Sequence, residues 1–296
     1  MEETRSAILD RIFAGIERTA GKLPSLPHVV FEVMKLILED APMPHIARKI
    51  EGDPELASRV VGLANLAIVR TSGNKITHLD QALTILGVRK INALTIGASL
   101  LKILPIKGGT PAFRFEKYWA HAAAVAEVAR GLAQRINVNL DGEELAGGLV
   151  HDIGRTILGR YDKEFKRAIE LVAKEKKPLV AAEREVFGAD HCEVGVHLAR
   201  KWNLPENLVD VVEYHHEPAQ ARNPVLVALV RVADFYANSR SVGLDATLKD
   251  RDVREDPAWS VLVSQAPRLG EIEPERLTEW FEKSLVAARE FTKLLR

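Results

Sequence analysis

Apolar residues return along this chain at intervals of three and four almost everywhere, and the period-two alternation of a half-buried strand is nearly absent. That pattern predicts an all-α protein. Residues 6–20 read as an amphipathic helix stopped by Gly21 and Pro24, and Leu23-Pro24-Ser25-Leu26-Pro27 as an extended lead into a helix over 28–38. Further helices are predicted over 43–51, 53–67, 79–86 and 88–103. Asp53-Pro54 supplies a cap followed by a first-turn proline, Gly73-Asn74 a turn, and Gly87 the stop before the last helix. Lys107-Gly108-Gly109-Thr110-Pro111 is the strongest interruption, and it divides an N-terminal helical unit, 1–108, from a second unit, 109–240. The second unit shows helical periodicity over 113–136, 142–159, 164–174, 178–187, 190–202, 205–216 and 224–239. Residues 241–296 form a helical extension expected to pack on it.

Composition leaves that picture intact. The chain has 296 residues, 47% hydrophobic and 28% charged, enough to bury a real core. Its 41 basic and 41 acidic residues balance, which gives no electrostatic reason to expect nucleic acid or an anionic membrane as partner. Cys192 is the single cysteine, so no internal disulfide forms and a reducing, cytoplasmic compartment is expected. Residues 1–23 carry charges throughout and lack a signal-peptide core. The most apolar early stretch, 91–105, is broken by Asn92 and Lys102 and falls short of the roughly 20 residues that cross a bilayer, so it reads as a buried helix.

The chemistry lies in histidines and aspartates that share positions with apolar residues. His121 falls on one stripe with Val125, Val128 and Leu132. Taken alone, it reads as a hydrogen-bonded core histidine. His151-Asp152 sits inside Gly147-Gly148-Leu149-Val150-His151-Asp152-Ile153-Gly154-Arg155, where burial of both groups needs partners. A simple His–Asp hydrogen bond or a transition metal would serve. His191 opens a helix on its inward face while His197 lies off that stripe and is expected at the surface. His215 and His216 end a helix, where the partial negative charge favours a cation, although two exposed terminal histidines would look the same. Asp234 lies in a run that is otherwise apolar save for Arg231, which could neutralise it as an i,i+3 pair. Together His121, His151, His191, His215, His216, Asp152 and Asp234 supply ligands for one or two divalent ions, which could activate water for phosphoryl hydrolysis. With no cysteine ligand expected, iron or manganese is favoured, with zinc also suited to the set.

The order His121, His151-Asp152, His191, His215-His216, Asp234 resembles the HD phosphohydrolase superfamily and its HD-GYP branch of cyclic di-GMP phosphodiesterases. The closer resemblance is to the HDOD family, the HD-related output domains of bacterial signalling. It is carried by Leu23-Pro24-Ser25-Leu26-Pro27, Asp53-Pro54-Glu55-Leu56, Leu63-Ala64-Asn65, Gln81-Ala82-Leu83-Thr84-Ile85-Leu86-Gly87, Trp202-Asn203-Leu204-Pro205 and Tyr214-His215-His216-Glu217-Pro218. The resemblance implies an HD-like helical bundle with an N-terminal helical half, and a role beside signalling proteins such as response regulators or kinases. It covers about residues 20–238. The HD-GYP glycine-rich Gly-Tyr-Pro loop is missing after Glu217, and Arg155 stands where HD hydrolases often have lysine. Two functions follow: a signalling or scaffold module that retains a metal site, or a metal-dependent phosphohydrolase acting on a nucleotide or cyclic dinucleotide. In the second, Arg155 or Lys163 would contact phosphate.

Overall fold

The computed structural model describes residues 5–20, 27–68 and 76–294. Gly21, residues 23–26 of the proline-rich lead and the Gly73-Asn74 turn lie outside the described residues. The described chain is helical without strands; one isolated bridge joins Gly109 to Arg114.

The first five helices are α1 (Arg5–Ala20), α2 (His28–Leu38), α3 (Met43–Glu51), α4 (Pro54–Ile68) and α5 (Leu79–Ile103). Gly87, at φ 78°, bends α5 by 118° where a break between two helices is predicted. A positive φ of this kind is open to glycine at little steric cost. Asp53 caps α4 by accepting from the Leu56 amide at 3.1 Å, and it also meets Lys102 of α5 at 2.6 Å. One carboxylate thus starts α4 and pins it to the end of α5. Within the apolar stretch over 91–105, Ile91, Leu94, Ile96, Ala98, Leu100 and Leu104 lie in the core, while Lys102 and Pro105 are exposed. Among the described residues no single helix is long and apolar enough to cross a membrane.

After Gly108 and Gly109, both at positive φ, come α6 (Phe115–Arg135), α7 (Glu143–Val150), α8 (Arg155–Leu158), α9 (Asp162–Glu175), α10 (Leu179–Phe187), α11 (His191–Lys201), α12 (Glu206–Tyr214) and α13 (Pro224–Ser239). α14 (Pro257–Gln265) and α15 (Pro274–Leu294) are the last of the described α-helices. α6 is buried around most of its circumference because α7, α13 and α15 all pack on it. Alanine fills much of that helix, and small side chains let three neighbours approach at once. The apolar core runs on from Ile12 to Ala288 across the glycine break.

One predicted helix is wrong in form. The continuous helix expected over 142–159 is two helices, since α7 ends at Val150 and the chain turns through 151–154 before α8. Neighbouring residues of a continuous helix point about 100° apart. The turn instead lets His151 and Asp152 face one centre.

Candidate metal centre

Two close backbone approaches set the distances at this centre. A Cβ on Gly148 would lie 2.3 Å from Ala126 Cα, so α7 rests directly on α6 and carries His151 towards His121. A Cβ on Gly154 would lie 1.9 Å from the His191 carbonyl oxygen, which seats the 151–154 turn on the first turn of α11. His191 begins α11 because Asp190 and Glu193 form a capping box, each side chain bonding the other's backbone amide at 2.9 Å. His215 and His216 follow the end of α12, and Asp234 projects from the middle of α13.

All seven residues meet. His121 Nε2 stands 3.3 Å from Asp152 Oδ2 and 3.2 Å from Asp234 Oδ1, and His151 Nε2 stands 3.3 and 3.8 Å from the same two oxygens. On the other side of the Asp152 carboxylate, Oδ1 lies 3.3 Å from His191 Nε2 and 3.7 Å from His215 Nε2. His216 Nε2 is 3.1 Å from His191 Nε2. Asp152 therefore stands between two clusters, one oxygen turned to each. Six of the seven are buried, and His216 is half-buried.

Hydrogen bonds at the rear of the rings fix which nitrogen faces inward. His121 Nδ1 donates to the Val242 carbonyl at 2.5 Å, His151 Nδ1 to Gly148 at 2.9 Å, and His215 Nδ1 to Val211 at 3.1 Å. His191 Nδ1 donates to the Glu183 carboxylate at 2.5 Å. These four imidazoles turn Nε2 to the centre, the arrangement that outer partners impose on metal-ligating histidines. His216 differs: its Nδ1 accepts from Arg231 Nη1 at 3.1 Å, so its neutral ring carries the proton on Nε2.

Charge follows the same division. Burial alone would depress the pKa of His121, but hydrogen bonds to Asp152 and Asp234 carry it up to about 9. His151 and His191 are also raised against their burial, by Asp152 for the first and by Cys192 and Glu183 for the second. Burial and neighbouring positive charge hold His215 and His216 well below the usual range. Burial would raise both aspartates, yet Arg155 and His151 hold Asp152 well below the carboxylate range, and His121 and His151 do the same for Asp234.

The donor set fits a metal pair on two observations. Asp152 Oδ1 is buried and accepts no hydrogen bond, although it faces two imidazole nitrogens. A buried acceptor left so is expensive unless something else satisfies it. In addition, ligands at about 2.1 Å from one ion are separated by roughly 3.0 to 3.4 Å, close to most of the separations above. No ring or carboxylate would have to travel far.

Beside the first cluster lies a cavity of about 300 Å³, with His121, Asp152 and Arg155 in its lining and Arg114, Lys117 and Tyr118 around them. Arg155 is 2% exposed and bonds Asp152 Oδ2. Lys163, the other residue expected to contact phosphate, is exposed on α9 and does not line this cavity. His197, expected at the surface, is half-buried with its ring 4.4 Å from that of Phe13 in α1. The i,i+3 pair of Arg231 with Asp234 forms at 3.0 Å, so the pairing and the cluster coexist on one carboxylate.

Several working residues escaped the sequence reading. Glu183 is fully buried and accepts from both the backbone amide and the ring of His191. Its signal was available, because it shares a buried stripe with Leu179 and Phe187, four residues to either side. Cys192, read only for its redox state, has Sγ 3.9 Å from His215 Nδ1 and stands in the second cluster, its thiol pKa pushed up by burial. Asp256 bonds Arg231 at 2.7 Å, and Asn238 donates to Asp234 Oδ1 at 2.7 Å. Glu183→Gln keeps the acceptor for the His191 amide but removes the charge behind its ring. It is expected to weaken metal binding about 10- to 100-fold, read by titration against a chelating dye, with melting temperature little changed.

Against this geometry, comparison with known proteins is decisive on family. The sequence model of the HDOD domain matches residues 23–218. The chain belongs to the HDOD family. An HDOD domain protein of unknown function from Geobacter sulfurreducens has the same fold, with a TM-score of 0.77, 26% identity and 99% of each chain covered. A candidate phosphohydrolase from Shewanella amazonensis shares the fold at a TM-score of 0.70 and 23% identity, covering 98% of each chain. An uncharacterised protein of Treponema pallidum is 25% identical over 210 residues, 70% of this HDOD chain and 40% of its own length. Ribonuclease Y of Thermus thermophilus is 28% identical over 120 residues, 40% of this chain and 16% of the relative. This HDOD chain therefore spans less than half the length of those two relatives.

Proposed function

We propose that this HDOD protein is a metal-dependent phosphoester hydrolase, and that the observation carrying the reading is the Asp152 carboxylate standing between two histidine clusters beside a cation-lined cavity. His121, His151, Asp152 and Asp234 would hold one ion. Asp152, His191 and His215 would hold a second, with His216 joining on release from Arg231. Iron, manganese or zinc suits these ligands. When bound, the metal pair would acidify water and neutralise charge on a phosphoryl group. The chain's own residues do the rest. Arg155 offers a planar fork for phosphate oxygens at the base of the cavity, and Arg114 and Lys117 draw an anion towards it. Hydrogen bonds donated by the rear Nδ1 atoms to the Val242, Gly148 and Val211 carbonyls and the Glu183 carboxylate hold the imidazoles in place before any substrate arrives.

The test is metal content after purification without chelator, followed by assay of the same sample on nucleotides, cyclic dinucleotides and generic phosphodiesters. Turnover lost with a chelator and restored by metal supports the reading. Fewer than one metal per chain overturns it. Because neighbouring carboxylates raise the pKa of His121, up to about 9, and of His151, both of which would ligate through Nε2, metal uptake is expected to release protons and to tighten as pH rises from about 6 to 9. Calorimetric titration in buffers of different ionisation enthalpy reads that release; no dependence on buffer would count against inward-facing ligation.

A second reading, a signalling module bound to a response regulator or kinase, is favoured by the segment after His216. There the chain makes a short 3-10 turn at Pro218–Gln220 and closes on α12, with the Arg222 amide bonded to Asp210 at 2.8 Å. No glycine-rich loop is left to cover a substrate. Metal bound without turnover would favour this reading.

A further inference from the structure

Arg155 is an unevenly satisfied buried charge. Its guanidinium is buried, one Nη bonds Asp152 Oδ2, the other stands 3.4 Å from His191 Nε2, and Nε has no hydrogen-bond partner. Glu183 Oε1 is its nearest further carboxylate, at 3.9 Å, and that oxygen also lacks a donor. The guanidinium thus sits against one nitrogen and one oxygen that the proposed ligand set needs, one from each cluster. It also lines the 300 Å³ cavity, where Arg114 and Lys117 are its cationic neighbours and Asp152 is the only carboxylate. An anion in that cavity would find three positive groups, of which Arg155 holds Asp152 and Arg114 meets Glu116 at 3.2 Å on the exposed side.

Resting on the metal reading above, we infer that Arg155 is an internal counter-cation that competes with the metal for Asp152 and His191, and that an oxyanion in the adjoining cavity draws it away. Metal and oxyanion then bind with positive coupling. A divalent ion beside Asp152 repels the guanidinium, and a phosphate or sulfate accepts the donors that Asp152 gives up. The charge at the centre stays compensated in either state, by Arg155 alone or by metal with the anion. Thermodynamic reciprocity requires that each ligand tighten the other by the same factor.

The experiment uses Mn²⁺ as the metal and sulfate as the anion, with ionic strength held constant by chloride. Sulfate is expected to lower the wild-type Kd for Mn²⁺ about tenfold, and Mn²⁺ to lower the Kd for sulfate by the same factor. Arg155→Met is expected to bind Mn²⁺ more tightly than wild type without sulfate and to show no sulfate dependence. Arg155→Lys, which keeps a charge but not the fork, is expected to fall between them. Sulfate that leaves wild-type Mn²⁺ affinity unchanged overturns the inference, as does a folded Arg155→Met that binds Mn²⁺ no more tightly. If Arg155→Met does not fold, the wild-type sulfate dependence decides alone. Mn²⁺ bound by no form at any sulfate concentration overturns both this inference and the metal reading beneath it.

Discussion

Asp152→Ala is expected to strip metal from both clusters at once, with elemental analysis falling below one-tenth of the wild-type content. Among the seven candidate ligands, Asp152 turns one oxygen to each cluster: Oδ2 serves His121 and His151, and Oδ1 serves His191 and His215. Turnover, where wild type shows it, is expected to fall about 10³-fold or more, since metal charge stabilisation contributes several kcal/mol and each 1.36 kcal/mol is about tenfold. Stability should fall as well. Removing one partner of a buried pair costs about 3–5 kcal/mol, and Arg155 would be left with an unpaired charge in the core. Asp152→Asn separates the two effects, because it keeps volume and an acceptor for Arg155 while losing the charge between the clusters. An Asp152→Ala protein that keeps its full metal complement would remove the basis for a shared carboxylate.

Gly154→Ala is expected to be the most damaging conservative substitution. The new methyl would meet the His191 carbonyl oxygen at 1.9 Å and the Gly195 amide nitrogen at 2.7 Å, and both belong to backbone that cannot rotate away. Relief requires the 151–154 turn and α11 to separate. We expect a loss of about 3 kcal/mol, a drop in melting temperature of roughly 6–12 °C, and a second cluster that no longer closes on Asp152 Oδ1. Metal content would then fall towards one ion per chain. Unchanged melting and full metal would show that α11 accommodates the methyl, contrary to the packing described.

Helix positions were largely legible because periodicity and stop signals agreed. Asp53-Pro54 starts α4, Gly87 breaks α5, and α2, α3 and α13 have the predicted bounds. The helix over 142–159 misled because Leu149, Val150, Ile153 and Ile157 keep helical spacing across a turn, and apolar pattern alone does not register a four-residue break. At the centre, side chains on apolar stripes were identifiable one by one, as His121 and Asp234 were. Their partners were not, when the link was a backbone carbonyl such as Val242 or a distant acid such as Asp256, because such contacts have no local spacing. Cys192 was read for its redox state, and its neighbour His191 gave no hint of which nitrogen of His215 it would touch.

The carbonyl of Val242 that holds His121 has one more consequence. The HDOD match stops at residue 218, whereas Asp234, the Val242 carbonyl and the Asp256 brace all come later in the chain. A fragment cut at the family boundary would carry every histidine of the centre and still lack one of its two carboxylates, Asp234. The stretch that matches the family is thus shorter than the stretch that builds the centre, and domain-swapped chimaeras built on the former would carry the ancestry without the complete donor set.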